Sequence, residues 1–102
     1  MKLERLIQKI VKIYKPLTPY LILLFGSYAE GGADKFSDID LIIVADSSKK
    51  FMERLKDVYM MWDFPKAADI LFYTKEEFEC MKKDENSFII NALATGKVIY
   101  ER

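Results

Sequence analysis

The sequence predicts a small α/β (α+β) domain, a mixed β-sheet with helices packed on it, and three observations carry that expectation. Helical and extended apolar patterns alternate along the chain with no internal repeat, which is the order expected of a layered domain. The segment 39–45 (IDLIIVA) is apolar on both of its alternating faces, so it asks to be covered from both sides. With 102 residues there is room for a single domain over 1–102 and none for a second substantial one.

Each element follows from its residues. Leu3, Leu6, Ile7, Ile10, Val11, Ile13 and Tyr14 recur at helical spacing, with charged residues between them, so the chain opens with an amphipathic helix of about four turns that Pro16 and Pro19 end. Residues 20–25 read as a buried strand closed by Gly26. Residues 27–30 form a short helical turn that Gly31 and Gly32 break, and 33–37 is expected to be a mobile loop. The second strand is 39–45. Phe51, Leu55, Val58 and Tyr59 mark a second long helix, and 67–73 a third strand after Pro65. Residues 75–83 are expected to be helical, with Thr74 as N-cap and Glu77 closing a capping box. A last helix over 87–95, capped by Ser87 and ended by Gly96, leads to a final edge strand over 98–100.

Composition narrows the chemistry. Hydrophobic residues make up 51% of the chain, too apolar for intrinsic disorder. Sixteen basic residues balance sixteen acidic ones, which gives no global electrostatic reason to bind nucleic acid or an anionic membrane. The longest apolar run, 20–25, is too short to span a bilayer, and the N-terminus lacks the uninterrupted apolar core of a signal peptide, so a cytoplasmic location is expected. The one cysteine, Cys80, has no internal disulfide partner and reads as a packing or surface residue. The chain has no histidine, which removes Ser-His-Asp hydrolysis, histidine-ligated zinc and histidine general bases together. Any chemistry rests on carboxylates, hydroxyls, amines or a hard metal ion.

Three features could carry such chemistry. Gly26 at a strand end allows a sharp turn and close approach of a ligand, and Ser27 then offers a hydroxyl beside the free N–H groups of a helical turn; the same pair also suits an ordinary capped turn. Asp38 and Asp40 alternate along a strand and so share a face, where their mutual repulsion is relieved by a divalent cation such as magnesium; a solvated strand start is the plainer reading. Asp69 lies within the apolar run Ala68-Asp69-Ile70-Leu71-Phe72, where a carboxylate needs a metal or a lysine partner. If the third strand lies beside the second, Asp69 completes a triad with Asp38 and Asp40.

Gly26-Ser27, ten residues and then Asp38-x-Asp40 resembles the G-S-x10-D-x-D signature of the DNA polymerase β-type nucleotidyltransferase superfamily. The likeness is strongest to its minimal nucleotidyltransferase (MNT) branch, in which the proteins are encoded beside HEPN partners. Leu24-Phe25-Gly26-Ser27-Tyr28-Ala29-Glu30-Gly31 and Ser37-Asp38-Ile39-Asp40-Leu41-Ile42-Ile43-Val44 carry it. The resemblance implies a nucleotidyltransferase fold and a two-metal site: Gly26 and Ser27 hold nucleotide phosphates, and Asp38, Asp40 and Asp69 ligate Mg2+ and serve catalysis. ATP would be the substrate and AMP the group transferred. The chain departs from the family at Glu30, where many relatives carry a basic residue.

The same resemblance implies a HEPN-domain toxin as protein partner and an antitoxin role, by AMP transfer to the toxin or, as the alternative, by non-catalytic occlusion of it. A homo-oligomer stays open. The stretch Tyr59, Met60, Met61, Trp62, Phe64 and Pro65 reads as core at a helix end before it reads as a partner surface, and Lys49, Lys50, Lys82 and Lys83 as solvated charge.

Overall fold

A computed structural model describes residues 2–102. The elements are α1 (Leu3–Tyr14), a 3-10 turn (Lys15–Leu17), β1 (Leu21–Phe25), α2 (Ser27–Glu30), β2 (Ile39–Val44), α3 (Phe51–Met61), β3 (Ala68–Tyr73), α4 (Lys75–Lys83), α5 (Ser87–Thr95) and β4 (Lys97–Glu101). Every segment expected from the sequence is present, with ends displaced by a residue or two. Pro16 lies inside the 3-10 turn that terminates α1.

The strands form one mixed sheet in the order β3-β2-β1-β4. β1 runs antiparallel to both β2 and β4, whereas β2 and β3 are parallel and are joined by α3. Alternation divides the sheet's side chains between two cores. Ile22, Leu24, Ile39, Leu41, Ile43, Ile70 and Phe72 pack with Leu6, Ile10 and Tyr14 of α1 and Val58 of α3. Leu23, Ile42 and Val44 face the other way, against Phe78 of α4 and Ile89 and Ala92 of α5. Helices on both faces explain why β2 is buried at every position except Asp40.

Polar side chains finish the framework. The Tyr14 hydroxyl donates to Val58 O at 2.7 Å, and desolvation pushes its pKa well above the ordinary phenol value, so it stays a neutral donor. The outer edge of β3 is covered from α3: Ile70 N donates to Tyr59 Oη at 2.8 Å, and Arg54 Nη1 donates to Phe72 O at 3.0 Å. The capping box at Thr74 and Glu77 forms as expected. At α5 the cap differs from expectation: Asn86, one residue earlier than Ser87, accepts from Ile89 N at 3.1 Å. Glu85, at φ 55, turns the chain so that the Asn86 side chain reaches the first turn.

The aromatic stretch after α3 is divided. Trp62 stacks on Tyr14 and meets Phe64 edge-on, while Met60 is 76% exposed. Of the lysines read as solvated, Lys49 pairs with Asp57 and Lys82 with Glu79, both at the surface. Cys80 is exposed. Among the described residues no helix is long and apolar enough to cross a membrane.

Candidate active site

Pairing register builds one end of the sheet into a polar corner. The last residue of β1, Phe25, is the antiparallel partner of Asp40, so the following Gly26 comes to lie against the Asp40 side chain. Asp40 is in turn the parallel partner of Asp69 on β3. Asp38 precedes β2 by one residue and is exposed, as is Asp69, whereas Asp40 is half-buried. Three segments distant in sequence therefore converge, and the three carboxylates predicted to form a triad stand at the same sheet end.

Gly26 shows why this corner needs a glycine. Its backbone sits at φ 71 and ψ −155, a region essentially closed to other residues. A Cβ there would come much closer to Asp40 Oδ2 than van der Waals contact allows. The carboxylate thus occupies the space that the missing side chain leaves. Gly26 also takes the N-cap position of α2, its carbonyl accepting from Ala29 N and Glu30 N at 3.1 Å each. Ser27 is the first helical residue, so its own N–H precedes the first helical bond.

The electrostatics are those of crowded like charges. The Asp40 carboxyl is pushed above the ordinary carboxylate range, first by burial, then by the charges of Asp69 and Asp38, and finally by a hydrogen bond with Asp69. A cation bound among these carboxylates would relieve their mutual repulsion. The donor set, oxygen ligands with neither histidine nor thiolate, suits a hard ion such as Mg2+. Among the described residues these carboxylates do not by themselves make a group of three that could hold a metal ion. They line an open corner, the arrangement expected where a substrate's phosphate oxygens supply further ligands.

The segment 33–37 lies outside the helices and strands, as the loop reading expects. Asp34 organises it as a hydrogen-bonded turn: Phe36 N donates to Asp34 Oδ1 at 2.8 Å, and Asp34 N donates to Ser37 Oγ at 3.0 Å. The turn presents Phe36, 81% exposed, two residues before Asp38.

Sequence reasoning passed over Lys66. This half-buried residue precedes β3, and its Nζ lies 5.6 Å from the centroid of the Tyr28 ring, next to Ser27. The only signal in the sequence is a basic residue three positions before an in-strand aspartate. A surface concavity of about 810 Å3 lies elsewhere, at the opposite end of β2 and β3 between Asp46, Ser47, Thr74, Lys75, Glu79 and Cys80. It gathers none of the predicted site residues, and convergent carboxylates locate chemistry better than volume does.

Comparison with known proteins identifies the family. The pattern of the family described as "Polymerase beta, Nucleotidyltransferase" matches residues 7–102. A Methanocaldococcus jannaschii protein named as a protein adenylyltransferase is 33% identical over 85 residues, covering 79% of this chain and 58% of the relative. The Haemophilus influenzae protein named protein adenylyltransferase MntA is 39% identical over 71 residues, covering 65% of this chain and 62% of the relative. The match thus spans about three-fifths of each relative's length. Among solved structures, a toxin–antitoxin crystal structure with AMP-PNP superposes with a TM-score of 0.63 at 22% identity, over 94% of this chain and 73% of the other. A tri-AMPylated Shewanella oneidensis HEPN toxin in complex with an MNT antitoxin gives a TM-score of 0.53 at 19% identity, over 99% and 74%. At these identities the structural likeness speaks to the fold.

Proposed function

The chain belongs to the polymerase β nucleotidyltransferase family, and from that premise we propose that it transfers AMP from ATP to a protein partner, a HEPN-domain toxin that it neutralises as an antitoxin in the cytoplasm. One observation carries the reading: Asp40 is pressed against Gly26 and paired in register with Asp69, so the strand-end turn and the carboxylates form one corner. The names of the relatives and of the structural neighbours support the choice of AMP and of a HEPN partner.

In this reading Gly26 leaves open backbone where the phosphate chain approaches, and the Ser27 hydroxyl donates a hydrogen bond to it. Asp38, Asp40 and Asp69 would hold Mg2+, together with oxygens of the substrate's phosphates. When bound, the metal neutralises charge on the phosphates and lowers the barrier to in-line displacement at the α-phosphorus. Asp69, exposed on the outer strand, takes the proton of the acceptor hydroxyl. The new bond joins the acceptor oxygen to the α-phosphorus, and the bond to the leaving pyrophosphate breaks.

Intact-mass spectrometry tests this, using the chain mixed with the product of its neighbouring gene, ATP and Mg2+. The expected result is a partner heavier by AMP, absent with Asp38→Asn/Asp40→Asn. A stable complex with no gain in mass would replace the enzyme with the occluding antitoxin.

A further inference from the structure

An ammonium group taken partly out of water normally meets a carboxylate, because the desolvation it suffers has to be offset. Lys66 is half-buried, yet the ion pairs among the described residues use Lys49, Arg54 and Lys82 instead. What Lys66 has is the face of the Tyr28 ring, 5.6 Å from centroid to Nζ, a contact that holds a cation while leaving its hydrogen-bond donors free. The backbone beneath is pinned. Trp62 Nε1 donates to Lys66 O at 2.8 Å, and Lys66 N donates to Phe64 O at 2.8 Å.

Position then gives this spare charge a use. Ala67 O accepts from Ile39 N at 3.0 Å, so Lys66 stands one residue from the link that joins β3 to the segment between Asp38 and Asp40. On its other side, Tyr28 directly follows Ser27. The ammonium is therefore held between the phosphate turn and the carboxylate strands. Around this end the described residues also include Glu30, Asp34, Asp38, Asp40 and Asp69, with two further cations: Lys35, whose Nζ lies over the exposed Phe36 ring at 5.0 Å, and Lys97, which opens β4 in register with Leu24. An anionic substrate entering so acidic a corner needs a fixed cation beyond any metal.

We propose that Lys66 binds the substrate's phosphate chain: its ammonium, braced on Tyr28, donates hydrogen bonds to phosphate oxygens of the nucleotide seated at Gly26 and Ser27. The assignment rests on the nucleotide-binding reading proposed above and names a binding residue that the strand motifs do not contain. Tyr28 is its positioning residue, acting through the ring alone.

Calorimetric titration of ATP with Mg2+ at two ionic strengths tests it, on the unmodified protein, Lys66→Met, Lys66→Arg, Tyr28→Leu and Tyr28→Phe. Lys66→Met is expected to weaken ATP binding roughly tenfold or more and to flatten its salt dependence. Lys66→Arg should recover most of the affinity; Tyr28→Leu, which removes the ring, should weaken binding in the same direction as Lys66→Met, and Tyr28→Phe, which keeps the ring, should restore it. Thermal melts run alongside, because a residue that only packed would lower the melting temperature without altering the salt dependence. If Lys66→Met does not fold, Lys66→Gln provides the same comparison. ATP bound by the unmodified protein and equally, with the same salt dependence, by a folded neutral variant overturns the assignment while the site reading stands. A folded unmodified protein that binds no ATP overturns both.

Discussion

Replacing Gly26 with alanine strikes the one point where backbone geometry and site chemistry coincide. At φ 71 and ψ −155 a side-chain-bearing residue is strained by about 1–3 kcal/mol. The added Cβ must also displace the Asp40 carboxylate, and Asp40 is buried enough that the strand has little room to give. Gly31 supplies the internal control: its φ is 85, but nothing lies within 4 Å of the place a methyl would take, so Gly31→Ala bears backbone strain alone, about 1–2 kcal/mol. We expect Gly26→Ala to lose about 3 kcal/mol, on the order of 10–20 °C in melting temperature, and Gly31→Ala roughly half of that. The sharper difference should appear in binding. ATP affinity with Mg2+ should fall about tenfold for Gly26→Ala, because Asp40 is pushed out of register with Asp69, and stay unchanged for Gly31→Ala. Differential scanning fluorimetry and calorimetry read the two quantities. Equal melting shifts for the two variants, with ATP affinity intact in both, would refute the argument that Asp40 fills the space Gly26 leaves.

Other outcomes follow from the same geometry. Arg54, 4% exposed, donates from Nε to Lys49 O and from both Nη groups to the Glu77 carboxylate at 2.7 and 2.9 Å; Arg54→Met should cost about 3 kcal/mol in urea unfolding, because Phe72 O and Glu77 both lose a partner. Arg54's hydrogen bonds hold Glu77 down to about 2 from its ordinary 4.5, so its stabilisation is fully present above pH 4.5 and lost as pH falls towards 2. The Glu77 side chain is 42% exposed, so solvent screening reduces this to about 1 kcal/mol, and Glu77→Gln should flatten the acid limb of the stability–pH profile. Asp40→Asn relieves the like-charge crowding at the corner; in metal-free buffer its melting temperature should rise, while AMP transfer measured by mass spectrometry should disappear. Glu30→Arg, at an exposed position one turn from Ser27, should tighten ATP binding by only a few tenths of a kcal/mol, and an unchanged or weaker affinity would show that residue 30 does not face the phosphates.

What could be read from the sequence alone is what short-range physics controls. The boundaries of α4 and its capping box were legible because Thr74 and Glu77 satisfy each other within a single turn. The burial of β2 on both sides follows from its apolar residues, Asp40 excepted. Even locally there were limits. Asn86 and Ser87 are both good caps, and only the left-handed turn at Glu85 selects between them; the Asp34 turn looked like loose chain because its hydrogen bonds depend on one side chain's orientation. The rest needed the tertiary structure. The register of Asp40 with Asp69, the pressure of Asp40 on Gly26, the covering of the β3 edge by Tyr59 and Arg54, and the seat of Lys66 on Tyr28 each join segments that no local pattern relates. Residue type and spacing set which groups could act. Sheet order and strand register, decided by how two helical layers share the faces of one sheet, determine which of them meet.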